Sequence, residues 1–139
     1  MTPGSSEQRN PYKGSPPRPW VRLRFLAPDG TTHEVECLAD TGNPFAVILS
    51  EGRMTQLKYA DAPDVNTNFG LLTGGWLRLA MPDLGLVQDV IGYASDAVAA
   101  AAQASSPDFE GLVGLPLLRL VEYGGDATSF WLRLPGGSP

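Results

Sequence analysis

The chain has 139 residues, 42% of them hydrophobic, and a formal net charge of −5 at pH 7. That size supports one globular domain with a single core. A single cysteine, Cys37, excludes an internal disulfide and a cysteine-rich metal cluster, and a single histidine, His33, excludes a multi-histidine metal site. The same counts leave little room for a histidine-assisted nucleophile, so we expect neither a metal nor a cofactor.

Residues 1–19 are polar and rich in Pro, Gly and Ser, without the apolar segment of a secretory signal. The chain has no run of 18 apolar residues that would suit a membrane span. We therefore predict a disordered arm over residues 1–19, a domain over residues 20–134, a flexible tail over residues 135–139, and a cytoplasmic location. The first 24 residues carry a net charge of +4. Contact with nucleic acid or with the acidic body would use that charge, but a solvated tail is the favoured interpretation.

The first predicted element is a β-hairpin. Apolar residues alternate with arginines over residues 21–25, which is the period of a half-buried strand. A Pro-Asp-Gly turn follows at residues 28–30, and residues 31–38 alternate again. This second strand leads to Asp40.

Asp40, Thr41 and Gly42 stand between two apolar runs, residues 37–39 and 46–49. A carboxylate at the junction of two buried strands is costly unless donors or a partner satisfy it. The structural interpretation is an ordinary turn, because Asp, Thr, Gly, Asn and Pro all favour turns. The chemical interpretation is a reactive carboxylate.

The middle of the chain predicts a cap, a loop and a second hairpin. Ser50 is placed to cap a short helix that runs to Tyr59, and residues 61–68 read as a polar loop. Residues 69–76 place three glycines among large apolar residues, which favours a mobile hairpin tip able to cover a ligand. A plain surface hairpin is the alternative. Strands are predicted over residues 76–81 and 86–93, joined by a turn.

The last third is predicted to contain one well-packed helix. Residues 95–106 are Ala-rich, and they predict a weakly packed helix or a flexible insertion without assigned chemistry, most of all at residues 97–104. Leu112, Val113 and Gly114 precede a helix that begins near Pro116 and ends at the glycine pair of residues 124–125. Residues 126–134 have strand character.

In this order the elements resemble those of the retropepsin-like aspartic proteases over residues 21–134. Asp40-Thr41-Gly42 matches the catalytic tripeptide of that family, and residues 69–76 resemble its flap. Residues 112–114, followed by the short helix, resemble its hydrophobic-hydrophobic-Gly segment. The resemblance implies a mainly β fold, a closed acid-protease barrel with one short C-terminal helix.

The resemblance also implies a homodimer, because the chain carries one such tripeptide and two-lobed pepsin-like enzymes carry two. One Asp40 from each subunit would then share a site on the two-fold axis and activate water for peptide hydrolysis. The Thr41 hydroxyl would bond across the interface, and Gly42 would let the backbone approach the carboxylate. The substrate-binding flap would consist of five residues: Leu71, Leu72, Thr73, Gly74 and Gly75. The expected partners are a peptide or protein substrate and a second copy, with neither membrane nor nucleic acid.

Three features depart from the family pattern. Asn43 and Pro44 follow the tripeptide where the family usually has Ala or Ser, and Asn43 is able either to donate a hydrogen bond to the carboxylate or to alter substrate access. The Ala-rich segment is longer than a compact version needs, and a final dimerisation strand is not recognisable beyond residues 127–134. The alternatives are a non-catalytic dimerisation or peptide-binding module of the same fold, and an unrelated structural β domain.

Overall fold

The computed structural model describes residues 6–68 and 70–135. The described chain is mainly β, with three short α-helices and a single 3-10 turn at Pro82–Leu84. The strands are β1 (Glu7–Pro11), β2 (Trp20–Leu26), β3 (Thr32–Ala39), β4 (Val47–Leu49), β5 (Ala60–Thr67), β6 (Gly70–Met81), β7 (Leu86–Ala94), β8 (Phe109–Val113), β9 (Glu122–Gly125) and β10 (Ser129–Arg133). The helices are α1 (Glu51–Leu57), α2 (Asp96–Ser105) and α3 (Leu115–Leu118).

Six strands close into a barrel in the order β2-β3-β8-β4-β7-β6, and β6 returns to pair with β2. Closure satisfies the backbone groups that an open sheet would leave at its edges. β5 pairs with the first half of β6 and extends from the barrel as an added strand. The barrel core contains side chains with no exposed surface, among them Leu23, Phe25, Val35, Leu77 and Leu79. The predicted closed, mainly β barrel is confirmed at this level.

The predicted hairpin of β2 and β3 is confirmed. Val21 lies opposite Cys37, and Leu23 lies opposite Val35, so each strand buries one face. On the outer face Arg24 donates to the Glu34 carboxylate at 2.9 Å. Because that ion pair is well exposed, it contributes little to stability. The hairpin is held by its apolar face.

The helices α1 and α2 each begin at a serine cap, of which only the Ser50 cap was predicted. The Ser50 side chain accepts a hydrogen bond from the Arg53 amide, which confirms the predicted start of α1, although the helix ends at Leu57 and not at Tyr59. The Ala-rich segment is the helix α2, capped by Ser95. Its small Ala102 packs against Trp20 and Phe109, so the alanines allow close contact with the sheet.

β8 lies between β3 and β4, parallel to the first and antiparallel to the second. Val113 consequently faces Ala39 on one side and Val47 on the other. The chain that enters the Asp40 turn and the chain that leaves it are therefore held apart by a third strand. This threading was not predicted from the sequence.

The predicted disordered arm over residues 1–19 is wrong for its described part. β1 pairs with β10, which pairs with β9, in a separate three-stranded sheet. Two polar side chains of β1 are buried because they bond to the backbone of β2: Gln8 contacts both the amide and the carbonyl of Arg22, and Asn10 donates to the carbonyl of Trp20. The polar composition suggested a solvated segment, but the side-chain amides of Gln8 and Asn10 form hydrogen bonds inside the protein, to the backbone of β2. The folded unit thus includes residues before 20, and residues 1–5 lie outside the described chain.

The glycine-rich stretch predicted as a hairpin tip lies inside β6 instead. A side chain at Gly74 would put its Cβ 2.5 Å from the carbonyl oxygen of Pro63, and one at Gly75 would approach Met54 to 2.9 Å. These glycines permit close packing and not a mobile tip. The predicted polar loop over residues 61–68 is also wrong, because most of it is β5, with a register shift between Ala62 and Val65. Phe69, the first residue of the stretch predicted as the tip, lies outside the described residues.

The predicted C-terminal helix is shorter than expected. α3 ends at Leu118, and the glycine pair forms part of β9, where the Trp131 ring covers Gly124 closely enough to exclude a Cβ. The single helix expected at this end is joined by α1 and α2 elsewhere in the described chain. Of the predicted tail, residues 136–139 lie outside the described residues. No helix among those described is long and apolar enough to cross a membrane.

Candidate functional site

Asp40 lies directly after β3, in a turn anchored to β8. Its backbone amide donates to the carbonyl of Val113 at 2.8 Å, and its carbonyl accepts from the amide of Asn43 at 3.0 Å. Asp40, Thr41 and Gly42 are all exposed. The structure therefore places the predicted tripeptide together on the surface, on a backbone that is fixed from beneath.

The Asp40 carboxylate has one hydrogen bond among the described residues, from the Gly42 amide to Oδ1 at 3.0 Å. A Cβ at Gly42 would lie 3.3 Å from that same oxygen. Glycine therefore lets the amide reach the carboxylate without crowding it. The second carboxylate oxygen and the Thr41 hydroxyl make no hydrogen bond within the described chain, and both are available to a ligand or a second subunit.

Gly114 supports the turn from the opposite side. A Cβ there would lie 2.2 Å from the carbonyl oxygen of Phe45 and 2.3 Å from that of Asn43, which is nearer than any real side chain approaches. The Gly114 amide donates to Ala46, and the Leu115 amide donates to Asn43, both at 3.1 Å. The two motifs singled out in the sequence, at Asp40 and at Gly114, are therefore in direct contact through their backbones.

Asn43 is buried, with 7% of its surface exposed. Its Oδ1 accepts a hydrogen bond from the Phe45 amide at 3.2 Å, whereas its Nδ2 has no partner. In this structure Asn43 neither bonds to the Asp40 carboxylate nor reaches the surface where substrate access would be altered.

The five residues predicted as flap, residues 71–75, lie on a different strand from the Asp40 turn. Leu71 and Thr73 are exposed, and Gly74 lies opposite Tyr93 of β7. The Tyr93 ring packs against the Phe45 ring with 4.8 Å between centroids. This aromatic pair connects the loop after the tripeptide to the base of the β5–β6 hairpin. Sequence reasoning did not single out either ring, and the signal for Phe45 was its place in the chain, three residues after the tripeptide.

The Asp40 turn lines neither of two clefts in the described protomer. One cleft of about 210 Å³ lies among Arg22, Arg24, Glu34 and Asp83, and it is largely occupied by charged side chains that pair with one another. A second cleft of about 60 Å³ lies between α1 and β6, beside Gly74. The carboxylate instead sits on an open face, so a single chain does not enclose a substrate around it.

Other reactive side chains offer no competing centre. The Cys37 thiol is fully buried in the barrel, and burial raises its pKa, which keeps it in the unreactive protonated form. Within residues 6–68 and 70–135, no three His, Cys, Asp or Glu side chains converge as a metal site requires.

Comparison of the chain with protein-family models, with curated proteins and with solved structures gave no match. The candidate site is therefore argued from its geometry alone.

Proposed function

We propose that this chain is one subunit of a homodimeric aspartic endopeptidase of the retropepsin-like type, in which two Asp40 carboxylates activate a water molecule. The observation that carries the proposal is the Asp40 turn itself. The Asp40 carboxylate is exposed and accepts a hydrogen bond from the Gly42 amide. The turn that carries it packs closely against Gly114, at the end of β8, which lies between β3 and β4.

The turn suits acid–base work because its backbone is fixed while its carboxylate stays open. Two carboxylates brought within a few ångströms cannot both ionise cheaply, so such a pair shares one proton. The ionised member accepts a proton from water, and the protonated member polarises the carbonyl of the scissile peptide. The resulting tetrahedral intermediate collapses as the amine leaves with a proton. This route uses only side chains of the chain itself.

A second copy completes the site in this proposal. The Asp40 face is open in the protomer, and the Thr41 hydroxyl has no partner within the described chain. Placing a two-fold axis beside this turn brings two carboxylates together and gives each hydroxyl an acceptor in the other subunit. The Asp40 carboxylate oxygen and the Thr41 hydroxyl that have no partner within the described chain therefore support a site shared by two subunits.

The β5–β6 hairpin is the proposed cover over the peptide. Its β5 strand is added to β6 outside the six-strand barrel, and Leu71, 63% exposed, gives the hairpin an exposed apolar side chain. An extended peptide that lies beneath it pairs with backbone groups, as a strand does. The Phe45–Tyr93 contact ties the base of this cover to the catalytic turn.

The decisive experiment is cleavage of an unbiased peptide library by the purified protein between about pH 3 and pH 7, with Asp40→Asn alongside. We expect acid-favoured cleavage that the substitution abolishes. Asp126→Asn is the matched control, because Asp126 also begins an exposed turn but lies in the terminal sheet. Cleavage that survives in Asp40→Asn overturns the proposal.

A second candidate is a non-catalytic dimerisation or peptide-binding module of the same fold. The openness of the Asp40 face in the protomer favours it, since that face suits an interface as well as a catalytic site. A folded dimer that binds peptides from the library without cutting them, and whose dissociation constant changes in Asp40→Asn, would establish this role.

A further inference from the structure

Asn43 Nδ2 is a buried side-chain atom without a hydrogen bond, and within the described residues it stands alone in this. Asn10 shows the usual arrangement: it is also buried, and its Nδ2 donates to the Gln8 side chain at 2.8 Å and to the carbonyl of Trp20 at 3.0 Å. A buried donor that lost its water and gained no acceptor destabilises the fold, so each such group requires an explanation.

The orientation of the Asn43 amide is fixed by its neighbour. Oδ1 accepts from the Phe45 amide, and exchanging the oxygen with the nitrogen would set two donors against each other. The unpaired atom, Asn43 Nδ2, is therefore a hydrogen-bond donor without an acceptor. It is enclosed, so in this geometry neither a substrate nor a second subunit touches it.

The acceptor best placed by the chain is the carboxylate at the start of the same turn. Asp40 and Asn43 are the first and last residues of a turn closed by their own backbone hydrogen bond at 3.0 Å. Asp40 Oδ1 takes the Gly42 amide, while Oδ2 has no partner within the described chain. The Asp40 side chain is exposed, and the Gly42 amide is its one hydrogen-bond partner within the described chain.

We propose that Asn43 is a positioning residue whose Nδ2 donates a hydrogen bond to the ionised Asp40 carboxylate. The bond forms when the exposed carboxylate turns toward the enclosed amide, and it favours the ionised form because only that form leaves both oxygens as acceptors. Its catalytic meaning rests on the proposed peptidase function. Each carboxylate of the symmetric pair has its own Asn43, and the donor orients whichever Asp40 is ionised to take the proton from water.

Few other charges act on this pair of side chains. The segments packed against the turn, residues 44–49 and 111–118, carry no titratable side chain. Glu110, the preceding residue of β8, is bound by Arg53 at 2.8 Å, and Glu36 on β3 is bound by Lys13. Cys37 is buried and protonated. The second Asp40 of the proposed dimer would add a like charge to the site.

Nuclear magnetic resonance tests this bond without any need for catalysis. The Asp40 carboxyl carbon and the side-chain amides are followed from pH 3 to pH 7 in the full chain. We expect the Asn43 amide resonances to move with the same midpoint as the Asp40 carboxyl, and to stay still in Asp40→Asn. The satisfied amide of Asn10 is the internal reference and should not move with them.

Substitution of Asn43 gives a second test of the proposed hydrogen bond. Asn43→Leu keeps the volume but removes the donor, so the pH dependence of the Asp40 carboxyl resonance should differ from that in the wild-type chain. Asn66→Leu, on the exposed side of β5, is the matched control and should leave it unchanged. Should Asn43→Leu fail to fold, the comparison of the wild-type chain with Asp40→Asn still decides. An Asn43 amide that ignores the Asp40 titration, or an unchanged midpoint in a folded Asn43→Leu, overturns the inference.

Peptide cleavage separates this inference from the proposed function. With an active peptidase, Asn43→Leu should move the acid limb of the pH profile upward and lower kcat more than it changes KM. If the Asn43 amide resonances move with the Asp40 carboxyl but the protein cleaves no peptide, the hydrogen bond is supported and the proposed peptidase function is wrong. Cleavage lost in Asp40→Asn but unaffected in pH profile by Asn43→Leu supports the peptidase and defeats the bond.

Discussion

Two aspartates begin exposed turns in this molecule, and the chain treats them in opposite ways. Asp126 Oδ1 accepts from the amides of Thr128 and Ser129, both at 2.9 Å, and from their hydroxyls, while Oδ2 accepts from Arg9 at 3.1 Å. The two backbone hydrogen bonds, from Thr128 and Ser129, do most to lower the pKa of Asp126 to about 2. Asp40 takes one bond within the described chain, from Gly42.

The difference separates a structural carboxylate from an available one. Both oxygens of Asp126 take part in hydrogen bonds that hold the terminal sheet together, so its role is structural. At Asp40 the backbone is fixed equally well, yet the carboxylate, the Thr41 hydroxyl and the Asn43 amide keep unused bonding capacity. Polar groups held in place but left unpaired are typical of a site that a ligand or second subunit completes.

The largest effect is expected at Gly114, which packs closely against the Asp40 turn. Gly114→Ala should lower the free energy of unfolding by about 3 kcal/mol or prevent folding, because its Cβ meets two carbonyl oxygens. Gly52→Ala is the control. It lies in α1 with open space around its Cβ, and should leave stability unchanged or raise it by up to ~1 kcal/mol. Urea unfolding of both variants measures the change in the free energy of unfolding, and equal midpoints would show that the packing at Gly114 does not support the turn.

Exchanging the two carboxylates for amides should split activity from stability. Asp40→Asn should lower kcat/KM by at least ~100-fold, yet change the free energy of unfolding of the monomer by less than about 0.5 kcal/mol. Asp126→Asn should do the reverse, keeping cleavage while lowering the unfolding midpoint. Library cleavage and urea unfolding of both proteins test the pair. Loss of cleavage in both would mean that the two turns do not differ in role.

The lowered pKa of Asp126 predicts an acid weakness of the terminal sheet. A carboxyl whose pKa is depressed on folding stabilises the protein above its ordinary value of 3.8, and that contribution is lost as the pH falls from about 4 to about 2. The bonds of Glu7 to Arg9 and Arg133 lower its pKa and add in the same direction. Thermal unfolding between pH 6 and pH 2.5 should show a steeper loss in the wild-type chain than in Asp126→Asn. Parallel curves would contradict the assignment.

The smallest expected effects come from the two threonines. Thr41→Val should leave unfolding of the monomer unchanged and raise the dimer dissociation constant by roughly tenfold, if its hydroxyl bonds to the second subunit as proposed. Thr128→Val removes a bond at 3.1 Å to Asp126 and should lower the unfolding midpoint of the monomer without changing dimerisation. Sedimentation velocity and urea unfolding distinguish these results. A dimer indifferent to Thr41 would place the interface elsewhere.

Sequence reasoning succeeded where the cause is local. The alternation in β2 and β3, the turn at residues 28–30 and the cap at Ser50 each depend on neighbours a few positions away, and the structure confirms them. It failed at the N-terminal arm and at the glycines of β6, because polarity and glycine content were interpreted without their partners. Gln8 is buried by a bond to Arg22, and Gly74 is required by the nearby carbonyl of Pro63.

The candidate site divides in the same way. The sequence singled out Asp40, Thr41 and Gly42 as a turn with a carboxylate, and it marked Gly114 as a second motif. It did not bring them together, nor did it show that Asn43 is enclosed or that Phe45 meets Tyr93. Those relations join residues that are up to 73 positions apart, from Asp40 to Val113.

By itself the sequence determined a one-domain β protein, the paired strands before Asp40 and a tripeptide at the end of a buried strand. Tertiary structure alone decided that β8 runs between β3 and β4, that β1 closes onto β10, and that the carboxylate faces outward while Asn43 faces inward. The physical reason is that periodicity and turn chemistry act over a few residues. Strand order and burial follow from which distant surfaces exclude water together.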